Sequence, residues 1–191
     1  MMAWISRWIY KLLGWTTEVE YPDTKKYVLI VAPHTSNWDF PLGMLAARIL
    51  RLKVHYLGKH TLFEGPFGWF FKYLGGIPVR RDKVHNMSQQ MAQRFAEADE
   101  LVLAIAPEGT RKKTRHWKMG FYHIARAAQV PIVMAYLDYG NKKVRMGGAF
   151  YPGEDMQETL ETVRAFFVGV QGRYPDKQGL IRARPPKEAA K

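Results

Sequence analysis

Short runs of apolar, often β-branched residues alternate along this chain with longer segments of mixed polarity. Such alternation is typical of α/β domains, in which buried strands are joined by amphipathic helices. We therefore predict an α/β domain. The predicted strands are residues 27–32, 54–58, 77–79, 101–106, 132–137 and 143–146. The predicted helices are residues 40–50, 64–74, 87–98, 119–128 and 156–167.

Length, charge and cysteine content narrow the possible functions. The 191 residues are enough for one ordinary domain. Lysine and arginine exceed aspartate and glutamate by 12, which predicts attraction to nucleic acid, an acidic membrane surface or phosphorylated small molecules. The absence of cysteine excludes disulfides, cysteine-ligated zinc and a thiolate nucleophile. The histidines show no zinc-ligand spacing, so we expect no bound metal.

The first fifteen residues predict an amphipathic helix, with Arg7 and Lys11 on its polar side. Its apolar positions are Trp4, Ile5, Trp8, Ile9 and Leu12. Three tryptophans in so short a segment suit a membrane interface, where the ring lies among acyl chains and the indole N–H stays near water. We predict a membrane-interface helix within residues 1–18; the alternative is a terminal helix docked on the protein's own core. No apolar stretch is long enough to predict a spanning helix.

Polar residues follow the strand predicted at residues 27–32, beginning with His34 and ending with Asp39. On a helix, positions five apart lie about 140° apart, so this pair can meet only if His34 precedes the helix. Pro33 and Ser36 favour that arrangement. A carboxylate on one imidazole nitrogen would leave the other free to take a hydroxyl proton. The alternative is a capping carboxylate beside a surface histidine.

The strand predicted at residues 101–106 also ends in polar groups, from Pro107 to Arg111. Pro107 and Gly109 predict a turn there. Burying Glu108 or Arg111 is costly unless they bind a ligand or pair with each other, so a structural salt bridge is the alternative to a binding site.

Three more basic positions are candidates for phosphate binding. Lys59 ends the strand at residues 54–58, although basic residues at strand ends are usually only solvated. Arg80 and Arg81 follow a glycine turn and a short strand, and strand alternation sends them to opposite sides. The one that faces the site would bind phosphate oxygens through two N–H groups.

Together these segments resemble the PlsC-type glycerolipid acyltransferases, which include the lysophosphatidic acid acyltransferases. The resemblance covers residues 27–137 and rests on four motifs in order. They are His34 four residues before Asp39, the glycine and apolar segment ending in Arg81, the sequence Pro-Glu-Gly-Thr-Arg at residues 107–111, and the proline-opened apolar strand at residues 130–133.

This resemblance implies a single domain with a mixed, largely parallel sheet flanked by helices, of the glycerol-3-phosphate-acyltransferase-like fold. It implies acyl transfer from acyl-CoA or acyl-carrier protein to a lysophospholipid hydroxyl, with 1-acyl-sn-glycerol 3-phosphate as the main candidate acceptor and no cofactor. His34 would be the base and Asp39 would orient it, while backbone N–H groups at the start of the next helix would stabilise the oxyanion. The implied substrate-binding residues are Lys59, Arg81, Glu108, Gly109, Thr110 and Arg111, with Glu108 and Thr110 contacting glycerol hydroxyls or ordering an arginine.

The resemblance also suggests where the protein acts. We expect a peripheral protein on the cytoplasmic face of a membrane, the inner membrane in bacteria, bound to anionic lipid. The acyltransferase domain would span residues 19–181, followed by a basic flexible tail at residues 182–191. Six aromatic residues between positions 63 and 73 either pack in the core or face the acyl chain or the membrane.

Three alternatives stay open. A different lysolipid could be the acceptor. A serine esterase would use Ser36 as nucleophile, although no Gly-x-Ser-x-Gly sequence surrounds it. A nucleic-acid-binding module would use the five positive charges of residues 111–118, although no recognisable reading helix accompanies them and no nucleic acid is expected as a partner.

Overall fold

The computed structural model of the chain describes residues 2–79 and 87–185, and its centre is one seven-stranded sheet. The strands are β1 Thr16–Val19, β2 Lys26–Val31, β3 Val54–Lys59, β4 Gly76–Val79, β5 Leu101–Ile105, β6 Ile132–Asp138 and β7 Lys143–Phe150. The helices are α1 Met2–Leu12, α2 Asp39–Ile49, α3 Thr61–Glu64, α4 Gly68–Tyr73, α5 Met87–Glu97, α6 Gly120–Ala128 and α7 Met156–Phe166. A 3₁₀ helix spans Pro175–Lys177.

The strands lie in the order β1-β7-β6-β2-β5-β3-β4. Strand β2 pairs in parallel with both β5 and β6, and β3 pairs in parallel with β5 and β4. Only β6 and β7 pair antiparallel among these strands. The α/β class and the mixed, largely parallel sheet are therefore confirmed. Because β2, β3, β5 and β6 run the same way, the segments that follow them meet at one edge of the sheet.

Helices cover both faces of the sheet because its central strands are apolar on both sides. Val28 and Ile30 of β2 pack with α5, α6 and α7, whereas Tyr27 and Leu29 point to the opposite face. Helices α1 and α2 lie on that opposite side, where Leu42 of α2 packs in a cluster with residues of β6 and β7. All seven residues of β6 are buried, as expected for a strand covered on both faces.

Helix α1 divides its surface between the protein and the solvent. Its buried residues Ser6 and Tyr10 lie four positions apart and face α2, where the Tyr10 hydroxyl donates to the Leu42 carbonyl at 2.6 Å. The remaining apolar face is exposed, and it consists of Trp4, Ile5, Trp8 and Leu12. Helix α1 therefore packs on the core with one side and leaves an apolar side exposed. Trp15 lies beyond the helix and is buried instead. No helix in residues 2–79 or 87–185 is long and apolar enough to span a membrane.

Three elements differ from their predictions. The helix predicted at residues 64–74 is shortened to α4, and a separate helix, α3, ends at Glu64. The two are separate because Pro66 lacks a backbone N–H and Gly68 packs so closely that an added Cβ would lie 2.1 Å from the Phe63 carbonyl oxygen. Strand β1 was not predicted because its sequence Thr-Thr-Glu-Val has little apolar character. It is nevertheless an edge strand of the sheet, so the segment after α1 belongs to the domain.

Part of the segment predicted to be a flexible tail is bonded to the domain. The Arg182 carbonyl accepts a hydrogen bond from the backbone N–H of Trp117, and Ala183 forms an isolated parallel bridge with Trp117. The Arg182 side chain donates to the Arg115 carbonyl. Residues 186–191 lie outside the described residues, so the boundary of a tail stays a prediction.

Candidate active site

The centre of the site is the loop between β2 and α2. His34 lies in the loop that follows β2, and Asp39 is the first residue of α2. His34 thus precedes the helix, and its Nδ1 lies 3.0 Å from Asp39 Oδ2. The spacing of five residues allowed this contact only for a histidine that precedes the helix, as His34 does.

The Asp39 carboxylate is buried but accepts four hydrogen bonds. Oδ2 accepts from His34 Nδ1 and from the backbone N–H groups of Thr35 and Ser36, both at 2.9 Å. Oδ1 accepts from the Tyr139 hydroxyl at 2.7 Å. Burial opposes the negative charge, but the hydrogen bonds from His34, Ser36 and Tyr139 outweigh it and hold the pKa of Asp39 below its ordinary value. Asp39 is therefore charged at neutral pH.

A charged Asp39 determines how His34 can act. The carboxylate accepts a hydrogen bond from Nδ1, which places the proton of the neutral ring on that nitrogen and leaves the lone pair on Nε2. The ring is partly exposed, whereas Asp39 is buried behind it. The pair can therefore accept a proton at Nε2 and stabilise the resulting imidazolium.

Glu108 supports the same loop from the neighbouring strand. It follows β5, is buried, and its Oε2 accepts a hydrogen bond from the His34 backbone N–H at 2.6 Å. Burial raises the pKa of Glu108 to about 6, although the hydrogen bond from His34 opposes this rise. Glu108 is directed at the backbone of His34, while Arg111 is exposed, so the structure does not show the salt bridge between them that was the alternative to a binding site.

A segment near the carboxyl terminus packs on the outside of the loop. The Tyr174 backbone N–H donates to Thr35 Oγ1 at 3.2 Å. Gly172 approaches so closely that an added Cβ would lie 2.8 Å from the same Thr35 oxygen. Beside it, the guanidinium of Arg173 lies 5.5 Å from the ring centre of Trp38, which is exposed just before α2. This segment therefore fixes the loop and adds a cation beside it.

Three of the candidate substrate-binding side chains, at or just after the ends of β3 and β5, form an exposed rim, in which Lys59 and Arg111 are cationic. Lys59, Thr110 and Arg111 are all exposed, at or just beyond the carboxyl ends of β3 and β5. Gly109 has a φ of +63°, which glycine adopts at low cost, and an added Cβ would lie 2.8 Å from the Lys118 amino nitrogen. Gly109 thus allows the turn and the approach of Lys118. Arg81 lies outside the described residues, so its role stays a prediction.

The local hydrogen bonds also bear on two other expectations. The N–H groups of Thr35 and Ser36, at the start of the helix, donate to Asp39 and so are occupied rather than free for an oxyanion. The Ser36 side chain is buried, and its oxygen accepts from the Trp38 N–H at 3.1 Å. This position does not favour Ser36 as a nucleophile. Within the described parts of the chain, no cluster of three or more metal-ligating side chains occurs.

Sequence reasoning missed Tyr139 and residues 172–174. A signal for Tyr139 was present, because it follows β6, a strand parallel to β2 and next to it in the sheet. The same strand-end rule that selected His34 and Glu108 applies to it. Residues 172–174 follow no strand, so only the three-dimensional packing places them on the loop.

Comparison with known proteins agrees with this geometry. A family model described as Acyltransferase matches residues 16–137. The 1-acyl-sn-glycerol-3-phosphate acyltransferase of Salmonella typhimurium is 28% identical over 145 residues, which cover 71% of this chain and 58% of that protein. The Escherichia coli protein of the same name is 27% identical over 145 residues. The chain thus spans 58% of the length of these curated relatives.

A solved structure is similar in fold. The crystal structure of the 1-acyl-sn-glycerophosphate acyltransferase PlsC from Thermotoga maritima matches with a TM-score of 0.60 and 18% identity. The match covers 86% of this chain and 74% of that one. The family model covers most of the strands, and the His34–Asp39 pair lies at the edge of the sheet where the parallel strands end. The chain therefore belongs to the acyltransferase family, as its PlsC-type motifs predicted.

Proposed function

We propose that this protein is a 1-acyl-sn-glycerol-3-phosphate acyltransferase, which moves an acyl chain from a thioester to the free hydroxyl of that lysophospholipid. The observation that carries the proposal is the His34–Asp39 pair, with a charged carboxylate on Nδ1 and a partly exposed ring. Relatives of similar sequence that bear this name support the choice of acceptor.

In the proposed reaction, His34 Nε2 removes the proton from the acceptor hydroxyl as its oxygen attacks the thioester carbonyl carbon. Asp39 stabilises the imidazolium that forms. The tetrahedral intermediate then expels the thiolate, which takes the proton from Nε2 and leaves as a free thiol. No bond to the enzyme is needed. Holding the two substrates together supplies much of the rate increase, up to roughly 7–11 kcal/mol for well-oriented reactants.

The exposed cationic rim is suited to the acceptor's phosphate. Arg111 follows Glu108 by three residues, and Glu108 accepts a hydrogen bond from the His34 backbone N–H, so the rim begins in the loop that contacts His34. Arginine binds phosphate oxygens through two parallel N–H groups. Arg111 and Lys59 would hold the phosphate, and Arg81 would join them from the segment outside the described residues. Thr110 would contact the glycerol hydroxyls or order an arginine.

Two exposed apolar surfaces support a membrane-bound position for the enzyme. The first is the outer face of α1. The second is formed by α3, α4 and the turn between them, where Leu62, Phe67, Trp69, Phe70 and Tyr73 are exposed. Phe63 and Phe71 of the same segment are partly buried and contact each other, so only these two follow the core-packing alternative. We expect both surfaces to contact lipid while the net positive charge attracts anionic headgroups.

The activity is tested with purified protein, labelled acyl-CoA or acyl-carrier protein, and a panel of lysolipids. We expect phosphatidic acid from 1-acyl-sn-glycerol 3-phosphate, and His34→Ala should reduce its formation to background. His123→Ala is the matched control, because His123 is exposed on α6 and belongs to no part of the site.

Each different outcome of this assay would favour a different interpretation of the site or the activity. Near-normal turnover in His34→Ala would contradict the base assignment. Acylation of a different lysolipid would change the acceptor, and thioester hydrolysis without any acceptor would favour an esterase.

The head-group assignment is tested by Arg111→Ala, with the exposed Arg94→Ala on α5 as a control of equal charge. The Arg111 variant should raise KM for the phosphorylated acceptor far more than KM for the thioester. Equal weakening toward both substrates would contradict a role in head-group binding.

The membrane assignment is tested by sedimentation with anionic vesicles. Trp4→Ser combined with Trp8→Ser should shift the protein to the supernatant, because both rings are exposed on α1. Tyr151→Ser removes an equally exposed aromatic ring away from α1 and should leave sedimentation unchanged. Unchanged binding in the double variant would show that α1 serves only to pack on the core.

A further inference from the structure

Tyr139 makes a hydrogen bond to Asp39 that none of the four motifs accounts for. Its hydroxyl donates to Asp39 Oδ1 at 2.7 Å, although the two residues lie 100 positions apart in sequence. Tyr139 follows β6, whereas Asp39 begins α2. The contact therefore joins the central sheet to the helix that carries the catalytic carboxylate.

The two oxygens of Asp39 are held from opposite sides of the site. Oδ2 is held by the loop itself, through His34 and two backbone N–H groups. Oδ1 is held by Tyr139 from the sheet. With both oxygens bonded, the plane of the carboxylate is determined, and so is the direction in which it meets the imidazole. Loss of the Tyr139 bond would leave a buried charged oxygen without this donor.

Tyr139 is itself well positioned to act on Asp39. Its backbone N–H donates to the Gln171 carbonyl at 2.8 Å. Its ring meets the ring of Trp15 edge-on, with centres 5.0 Å apart. The side chain can therefore hold one orientation without help from a substrate.

The shift in the pKa of Tyr139 agrees with a hydroxyl that always acts as a hydrogen-bond donor to Asp39. Burial raises the pKa of Tyr139, and the hydrogen bond to the negative Asp39 raises it further, while nearby Arg173 opposes the rise. The hydroxyl consequently stays protonated at neutral pH and donates to the carboxylate rather than taking part in proton transfer.

We propose that Tyr139 is a positioning residue that keeps Asp39 charged and aligned with His34. The kinetic part of this inference rests on the proposed acyl transfer, whereas its structural part concerns the free protein. Tyr139 touches no substrate in this scheme and acts through Asp39.

The direct test is the titration of the Asp39 carboxyl carbon, followed by NMR in protein labelled with ¹³C at the aspartate side-chain carboxyl and assigned with Asp39→Asn. In Tyr139→Phe we expect Asp39 to titrate at higher pH than in the wild type, because a hydrogen bond to the charged form is lost. In the acyl-transfer assay, kcat should fall roughly 10-fold, the equivalent of one charge-assisted hydrogen bond, while KM changes little.

Tyr122→Phe is the matched control, because it also removes the hydroxyl of a buried tyrosine that acts as a hydrogen-bond donor. The Tyr122 hydroxyl donates to the backbone oxygens of Gly153 and Glu154 and does not contact Asp39. It should leave both readouts unchanged. Fluorotyrosine at position 139, which keeps the ring and makes the hydroxyl a stronger donor, should move the Asp39 titration to lower pH and covers the case in which Tyr139→Phe does not fold.

Two results would overturn the proposal: an Asp39 titration that neither replacement at position 139 moves, or an equal loss of kcat in Tyr122→Phe. The carboxyl titration needs no substrate. It therefore decides the role of Tyr139 even if the panel of lysolipids shows no acyl transfer, which would count against the proposed function alone.

Discussion

Two buried carboxylates contact His34, and their pKa values are shifted in opposite directions. Asp39 and Glu108 are each 5% exposed. Asp39 accepts four hydrogen bonds and has a lowered pKa, whereas Glu108 accepts one from the His34 N–H and has a pKa raised to about 6. At equal exposure, the carboxylate that accepts more hydrogen bonds has the lower pKa, because each donor favours the charged form and offsets the effect of burial.

The difference in pKa suits Asp39 and Glu108 to different roles. In the proposed acyl transfer, a charged Asp39 would stabilise the imidazolium that forms on His34. Glu108 needs only an oxygen to hold the backbone of His34, and an uncharged side chain also provides one. The substrate contact predicted for Glu108 from the family resemblance stays a prediction beside this structural role.

The largest expected effect is the contrast in catalysis. Asp39→Asn should lower kcat on the order of 10³-fold or more, because an amide stabilises the imidazolium poorly and favours the wrong tautomer. Glu108→Gln keeps an oxygen acceptor and should lower kcat less than ~10-fold. Steady-state acyl transfer at saturating substrate measures both. Losses of similar size would mean that Glu108 acts as more than a backbone acceptor.

The next effect is in the pH dependence of stability. Glu108 binds its proton more tightly in the folded state than at its ordinary value of 4.5, so wild-type stability should fall as pH rises from about 4.5 to about 6. Glu108→Gln should gain ~2 kcal/mol over the wild type across that window. Asp39 contributes in the other direction, since its lowered pKa gives stability that is lost as pH falls below 3.8.

Urea unfolding of both proteins at a series of pH values measures this gap. The groups that affect Glu108 are His34 and Asp39, and neither is changed in the variant. If the free energies of unfolding of the two proteins differed by the same amount from pH 4.5 to 7, the pKa of Glu108 would not be raised in the folded protein.

A third, smaller effect compares two glycines, one beside each acid. Gly109→Ala should destabilise the fold by about 1–2 kcal/mol, because its φ of +63° is costly for any residue with a Cβ. Gly43 lies inside α2, where an added Cβ meets nothing within 4 Å, so Gly43→Ala should stabilise by about 0.5–1 kcal/mol. Thermal or urea unfolding compares them directly. A stabilising shift in Gly109→Ala would contradict the turn geometry on the Glu108 side, and a destabilising shift in Gly43→Ala would contradict the open space beside α2.

The smallest effect concerns the support behind Asp39. Trp15→Leu removes the ring that packs edge-on against Tyr139 but leaves the hydroxyl in place. We expect kcat to fall only about two- to fivefold, which corresponds to roughly 0.5–1 kcal/mol for a lost aromatic pair. Short-chain, water-soluble substrates keep membrane binding out of the measurement. A loss greater than that of Tyr139→Phe would mean that Trp15 supports Asp39 by a route other than this tyrosine.

The sequence predicted the site more accurately than its surroundings. The spacing and Pro33 allowed the His34–Asp39 contact, and the family resemblance favoured it over a capping carboxylate; the structure shows the contact. The turn at Gly109 followed from residue type. The bond from Glu108 to the His34 backbone was not predicted, because a main-chain partner leaves no pattern in the side chains.

The largely parallel sheet was implied by the family resemblance. Local patterns were sufficient for the α/β class and the amphipathic nature of α1, and they allowed the histidine–aspartate pair. These properties depend on residues that are near in sequence, where spacing limits the geometry. Only the folded chain determined that Tyr139 reaches Asp39, that Glu108 is buried against His34, and that Gly172 and Tyr174 close on Thr35. Those contacts join segments far apart in sequence, and their distances are determined by the order of strands in the sheet, which no local pattern encodes.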